Sequence, residues 1–200
     1  MKHLTILTLI IVVILGCKDN PVVEKAEEIK DNVQNTTRAV KEMDSMKEDM
    51  ETLAGVTPLT NEELKNWLPD EINGMTRTGF KVGQMGVVAI ASVDATYENQ
   101  DKTKKFRFQL LDGAGEMGSS AIAGARMLLT QEFEEETQNR IKRTSARNGL
   151  KYIEEFRKDG SKSSLQFVYD DRFYLDVNGT NLTMEELWSA IDEMPLDKLQ

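Results

Sequence analysis

The sequence predicts an α+β protein: a long N-terminal helix followed by an antiparallel sheet flanked by helices. Three observations predict it. Apolar residues recur at gaps of three and four across residues 22–53, the period of a helix. From Met75 they recur at every second position, the period of a strand. Short polar turns, Asn148-Gly149 and Asp159-Gly160 among them, join the strand-like runs and leave room only for antiparallel neighbours.

The chain opens with Met1-Lys2-His3, a short positive start, and an unbroken run of Leu, Ile, Val and Thr from Leu4 to Leu15. As a helix that run spans roughly 18 Å, short of the ~30 Å hydrocarbon core, so it reads as a signal-peptide core and not a membrane span. It ends in Ile14-Leu15-Gly16-Cys17. This tetrapeptide resembles the bacterial lipobox. The resemblance implies cleavage after Gly16, a diacylglycerol thioether on Cys17, and acylation of the new amine by a chain such as palmitate. Two or three such chains anchor a protein stably. Lys18-Asp19-Asn20 resembles the Lys-acidic signal that sends some Bacteroidota lipoproteins to the cell surface, and equally reads as a polar spacer.

Pro21 starts the helical pattern. Val22, Ala26, Ile29, Val33, Thr36, Val40, Met43, Met46, Met50 and Leu53 form a coiled-coil-like seam, with Glu and Lys on the other faces. Ala, Thr and Met make the seam weak. It serves either as a lone solvated stalk or as a surface for self-association or a partner helix over residues 22–54. Gly55 and Pro58 end it. The expected organisation is a signal peptide over 1–16, a lipid-anchored helical stalk over 17–58 and an α+β domain over 59–200.

Thr60-Asn61-Glu62-Glu63 reads as a capping box opening a short helix with Leu64, Trp67 and Leu68 on its apolar side, stopped by Pro69. Strands follow from Met75, from Val87 to Tyr97 and from Phe106 to Leu110, with the polar turn Asn99–Thr103 between the last two. Ser119 to Thr130 is Ala- and Leu-rich and reads as a helix capped by Ser119. A polar strand from Phe133 to Arg143 then enters a hairpin. Asn148-Gly149 fits a two-residue type I′ turn, and that register sets Ile141 opposite Phe156, Lys142 opposite Glu155 and Arg143 opposite Glu154. Two more strands carry Leu165, Phe167 and Tyr169, then Phe173, Leu175 and Val177. Thr183-Met184-Glu185-Glu186 is a second capping box, opening a last helix with Leu187, Trp188 and Ile191. PsbP-like sandwiches share this general order, a likeness of fold only.

The last two-thirds of the chain is similar to a scattered family of bacterial envelope lipoproteins. Leu68-Pro69, Ile72-Asn73-Gly74-Met75, Arg77, Phe80, Tyr97, Asp112-Gly113, Asp171-Arg172-Phe173, Val177, Gly179, Leu187, Ile191-Asp192 and Leu196-Asp197-Lys198-Leu199 carry the resemblance. These are mostly turn and core positions, and the resemblance brings no catalytic residues with it.

The chain has 34 Asp and Glu against 25 Lys and Arg, a net charge of −9, and loss of Lys2 with the signal makes it one unit more negative. A duplex-binding protein needs a basic footprint, so no nucleic-acid partner is expected. The single His is His3 and the single Cys is Cys17. A mature chain starting at Cys17 therefore excludes a Ser-His-Asp triad, a Cys-His pair, a Cys/His zinc site and an internal disulfide.

Gly113-Ala114-Gly115-Glu116-Met117-Gly118 matches the dinucleotide pattern G-x-G-x-x-G between a strand and a helix. A parallel strand should follow, and the polar strand and tight hairpin that follow argue against it. The motif is expected to be a flexible strand-to-helix loop that binds no nucleotide. Glu134-Glu135-Glu136, with Asp112 and Glu116, is expected to be a solvated acidic face and not a cation site. Ser119, Ser120, Ser163 and Ser164 lack the S-x-x-K context of a Ser-Lys nucleophile. Arg172 is expected to pair with a turn Asp. No cofactor, metal or catalytic residue is assigned; the one assigned site is lipidation at Cys17. The expected protein is a non-enzymatic interaction or binding module, anchored in the bacterial envelope by lipid on Cys17, on the outer membrane and facing the periplasm or the surface. A carboxylate-based envelope hydrolase, or a sensor acting through the stalk helix, is the alternative.

Overall fold

The period-two segments pair into one antiparallel sheet in a computed structural model that describes residues 44–85 and 90–199. Asp44–Gln200 forms one compact unit. Cys17, the signal peptide and the expected stalk up to Met43 lie outside the described residues, as do Val87 and Ala89.

Residues 44–54 are helical and are labelled α1. The other helices are α2 (Asn61–Trp67), α3 (Gly115–Leu129) and α4 (Met184–Asp192), with a 3-10 turn at Leu196–Lys198. The strands are β1 (Glu71–Ile72), β2 (Met75–Met85), β3 (Ile90–Glu98), β4 (Lys105–Asp112), β5 (Glu134–Glu136), β6 (Arg140–Arg147), β7 (Leu150–Arg157), β8 (Lys162–Tyr169) and β9 (Phe173–Thr180). Their order across the sheet is β1-β2-β3-β4-β9-β8-β7-β6-β5. Two meanders, β1 to β4 and β5 to β9, meet at the antiparallel β4–β9 ladder.

The alternation sorts side chains onto two faces. One face carries Tyr97, Phe106, Phe108, Leu110, Leu165, Phe167, Leu175 and Val177, all essentially fully buried. Amphipathic α2 and α4 cover it with Leu64, Leu68, Leu187 and Ile191. Both capping boxes form: the Glu63 N–H donates to Thr60 Oγ1 at 3.2 Å and the Glu186 N–H to Thr183 Oγ1 at 3.2 Å. Trp67 stands edge-on to Phe108 at 5.7 Å, and its Nε1–H donates to the Pro195 carbonyl at 2.8 Å, tying α2 to the C-terminal segment. A Cβ on Gly179 would lie 2.6 Å from Ser163 Oγ and 3.0 Å from Leu182 Cβ, so only glycine lets the chain after β9 pass this close.

The opposite face is half-covered. α3 lays Ile122 and Leu129 over Ile153 and Val168, with Leu53, Phe133 and Tyr174 around them. Helices therefore lie on both faces, and the antiparallel α+β expectation holds for residues 44–199.

The Asn148-Gly149 hairpin has the expected register, with φ of 52° and 85° at the turn. Two elements differ from expectation. The polar strand expected over Phe133–Arg143 is two strands, because Thr137 and Arg140 close a turn inside it. The Thr137 N–H donates to the Arg140 carbonyl at 2.8 Å, and the Arg140 N–H to Thr137 Oγ1 at 3.1 Å. Second, α3 starts at Gly115, four residues before Ser119. Ser119 is thus no cap; its hydroxyl donates to the Glu116 carbonyl at 3.0 Å from inside the helix.

Candidate functional site

Asp112 is the last residue of β4 and is fully buried. Its carboxylate accepts four hydrogen bonds: from the Leu59 N–H at 2.8 Å, the Ala114 N–H at 3.0 Å, and Arg172 Nε and Nη2 at 2.7 and 2.9 Å. Arg172 thus pairs with Asp112, 60 positions away, and not with Asp170 or Asp171 of its own turn. Its guanidinium also lies over the Phe173 ring, 4.8 Å from the centroid. All four bonds are spent on holding segments together, which leaves this carboxylate no free lone pair for chemistry.

The glycine motif is packed, not open. A Cβ on Gly113 would lie 2.3 Å from Ile122 Cγ1 and 2.5 Å from the Arg172 carbonyl oxygen. A Cβ on Gly118 would lie 2.6 Å from the Asp112 carbonyl oxygen. Gly115 takes φ +80° beside Pro58. These glycines let the start of α3 sit directly on the end of β4, and most of the expected loop is the first turn of that helix.

The acidic run sits on edge strand β5 and is answered by bases. Glu135 accepts from Arg140 at 2.7 Å, Glu134 lies 3.8 Å from Arg143, and Glu136 bonds Lys158. The Lys158 hydrogen bond holds the Glu136 carboxyl below its ordinary range. Among the described residues, no group of three or more His, Cys, Asp or Glu side chains is placed to hold a metal ion. Ser163 is buried and donates to the Leu182 carbonyl at 2.9 Å, while its neighbour Ser164 faces the other side of β8.

The uncovered half of the sheet face beyond α3 is the candidate site. It holds a groove of about 630 Å³ lined by Lys105, Arg107, Arg140, Arg157 and Lys162, against one carboxylate, Glu155. Most of these cations lean on carboxylates at the rim. Lys105 lies 2.8 Å from Glu98, Arg140 lies 2.7 Å from Glu135 and 3.3 Å from Glu155, and Arg157 lies 3.6 Å from Asp159. Arg107 binds both oxygens of Asp94. These bonds raise the Arg107 and Arg140 pKa values, through Asp94 and Glu135 first, so both stay charged. Lys162 has no carboxylate partner among the described residues. Ser164, Asn178 and Thr180 lie between the cations and both donate and accept. The arrangement suits binding of anions and hydroxyls.

A second, apolar cavity of about 250 Å³ opens between α3 and the sheet, lined by Leu111, Ile122, Ala125, Leu129, Ile153 and Tyr174. Burial pushes the Tyr174 hydroxyl up to about 12. No described helix is long and apolar enough to cross a membrane.

The basic groove is absent from the expectations drawn from sequence. Its cations lie on four strands from both meanders, and only the β6–β7 register is written in a local turn. The signal present is weak: Lys105 and Arg107 alternate with Phe106 and Phe108, which names a polar face but not its neighbours.

No family model matches this chain, and no curated protein matches it. Among solved structures, a GTP binding regulator from Thermotoga maritima is similar at 14% sequence identity, over 66% of this chain and 84% of that chain, with a TM-score of 0.31. A score that low supports no conclusion about fold or activity.

Proposed function

We propose that this chain is a bacterial envelope lipoprotein, anchored by lipid on Cys17, whose α+β unit is a non-catalytic binding module. The observation that carries the anchor is positional. The only thiol in 200 residues stands directly after Gly16 and an apolar run too short to span a bilayer. Two features support the binding module. Asp112, the one fully buried carboxylate among the described residues, is consumed by structural bonds, and the open sheet face offers a groove lined by cations, hydroxyls and amides with a single carboxylate among them. The outer membrane is the proposed location, with the unit facing the periplasm or the cell surface.

Labelled palmitate fed to expressing cells tests the anchor. The parent chain should take up label and partition with detergent, and Cys17→Ser should carry none, because serine forms no thioether. Label retained by Cys17→Ser would overturn the lipobox assignment. Turnover of a cell-wall or phosphoester substrate that depends on one specific carboxylate pair would overturn the non-catalytic half of the reading.

A further inference from the structure

We propose that the open face of the sheet binds an acidic glycan, a saccharide chain bearing carboxylate, sulfate or phosphate groups, laid across β4, β9, β8, β7 and β6. The proposal rests on the reading of the unit as a binding module and is independent of the lipid anchor.

The strand register assembles the site. Lys105 pairs with Thr180, and Thr180 with Lys162. The β7–β8 register pairs Phe156 with Ser163, and one further step sets Arg157 beside Lys162. Arg157 pairs with Arg140. The row Lys105, Thr180, Lys162, Arg157, Arg140 therefore crosses five strands with a cation at every position but one. At the usual spacing between strands it extends about 19 Å. A second row, Arg107, Asn178, Ser164, Glu155 and Lys142, runs parallel to it, two residues or about 7 Å along the strands.

The groove suits a polyanion despite the net negative chain. Charges more than about 8 Å away are largely screened at physiological ionic strength, so the groups in and around the groove set its potential. Lys105, Arg107, Arg140, Lys142, Arg157 and Lys162 stand there against Asp94, Glu98, Glu135, Glu155 and Asp159, and the excess cation is Lys162. The Arg157–Asp159 pair is solvent-exposed on both sides, and such pairs contribute at most about 1 kcal/mol. A ligand anion can therefore replace Asp159 at little cost, and Lys162 has no carboxylate partner to give up among the described residues.

Chemistry selects the kind of polyanion. Thr180, Asn178 and Ser164 lie between the cations and both donate and accept hydrogen bonds, as sugar hydroxyls do. Neither row contains an aromatic residue, and the aromatic among the groove's lining residues, the half-buried Phe156, is a single ring, so successive bases of a single-stranded nucleic acid find no row of stacking platforms. All five strands are paired on both sides, so an extended acidic peptide finds no free backbone edge to join here.

The test is calorimetric titration of the full-length chain in detergent, at about 50 mM and about 300 mM salt. The probes are a galacturonate oligosaccharide, a heparin oligosaccharide, neutral dextran, single-stranded DNA and polyglutamate. At least one of the two acidic oligosaccharides should bind saturably, more weakly at high salt, and dextran should not bind. Lys105→Ala with Lys162→Ala should weaken that binding about tenfold or more, with an unchanged melting temperature. Lys65→Ala with Lys198→Ala removes the same charge from residues outside the groove and should leave affinity unchanged. Failure of both acidic oligosaccharides to bind would overturn the proposal. So would equal weakening by the control pair, or tighter binding of DNA or polyglutamate. Loss of the palmitate label in Cys17→Ser, with glycan binding retained, would separate the two claims.

Discussion

Asp112 joins four segments through one carboxylate: the end of β4, the chain before α2, the start of α3 and the β8–β9 turn. A buried ion pair adds little net stability over an apolar pair, but removing one partner leaves the other charge stranded. Arg172→Leu should therefore destabilise the unit by about 3 kcal/mol or more, read as a lower urea midpoint with an unchanged slope. A loss below about 1 kcal/mol would mean that water reaches the carboxylate. The sequence marks Arg172 as structural and misplaces its partner. Asp170 and Asp171 are the near candidates, yet both have positive φ and serve the turn itself. A side-chain pair 60 positions apart has no local signature.

Elements whose signal is local read correctly from sequence. The capping boxes at Thr60 and Thr183 and the Asn148-Gly149 turn each sit within four residues, so pattern and geometry coincide. The start of α3 reads wrongly because its N-cap carries no capping side chain and the anchoring group stands two residues before it. Its N-cap, Ala114, makes no side-chain cap bond, and the Asp112 carboxylate takes the Ala114 N–H. At the Thr183 box, Glu186 is held below its ordinary carboxyl range, first by the Lys104 hydrogen bond and then by the Thr183 N–H. A carboxylate lowered on folding contributes its stabilisation above its unfolded pKa of 4.5 and loses it as pH falls through the lower folded value. Thr183→Ala should cost about 1 kcal/mol at neutral pH. Lys104→Met should flatten the fall in melting temperature on acidification from neutral pH to below 4.5. Parallel acid profiles for parent and Lys104→Met would remove Glu186 as a contributor.

At the scale of the molecule, α1 belongs to the folded unit. Asp49 meets Arg126 of α3 at 2.7 Å, and Leu53 packs against the cluster of Ile122, Leu129, Ile153 and Val168. The helical period over residues 22–53 predicts a helix but carries no mark where solvated seam becomes packed contact, because Met50 and Leu53 suit both. Leu53→Ala should lower the stability of the globular unit by about 1–2 kcal/mol in thermal unfolding. No change would mean that the helix end rests there without contributing. The same scale governs the candidate site. Each strand of the basic face is recognisable by its alternation, but the rows exist only once β4 lies beside β9, and no turn encodes that pairing.

The β4–β9 ladder also sets an order of events. Each meander consists of neighbours in sequence and can zip locally, whereas the seam between them closes a loop from Asp112 to Phe173. Contacts of such long separation slow folding, because the loop entropy is lost before the contacts form. β9, which forms half of that seam, spans Phe173–Thr180, so a chain emerging from its N-terminus cannot complete the described sheet until Thr180 has been made. Until then Phe106, Phe108 and Leu110 stand on an unpaired edge. The interval between making β4 and making β9 is the period in which this protein is most exposed to aggregation, and in which a holding chaperone would have most to cover.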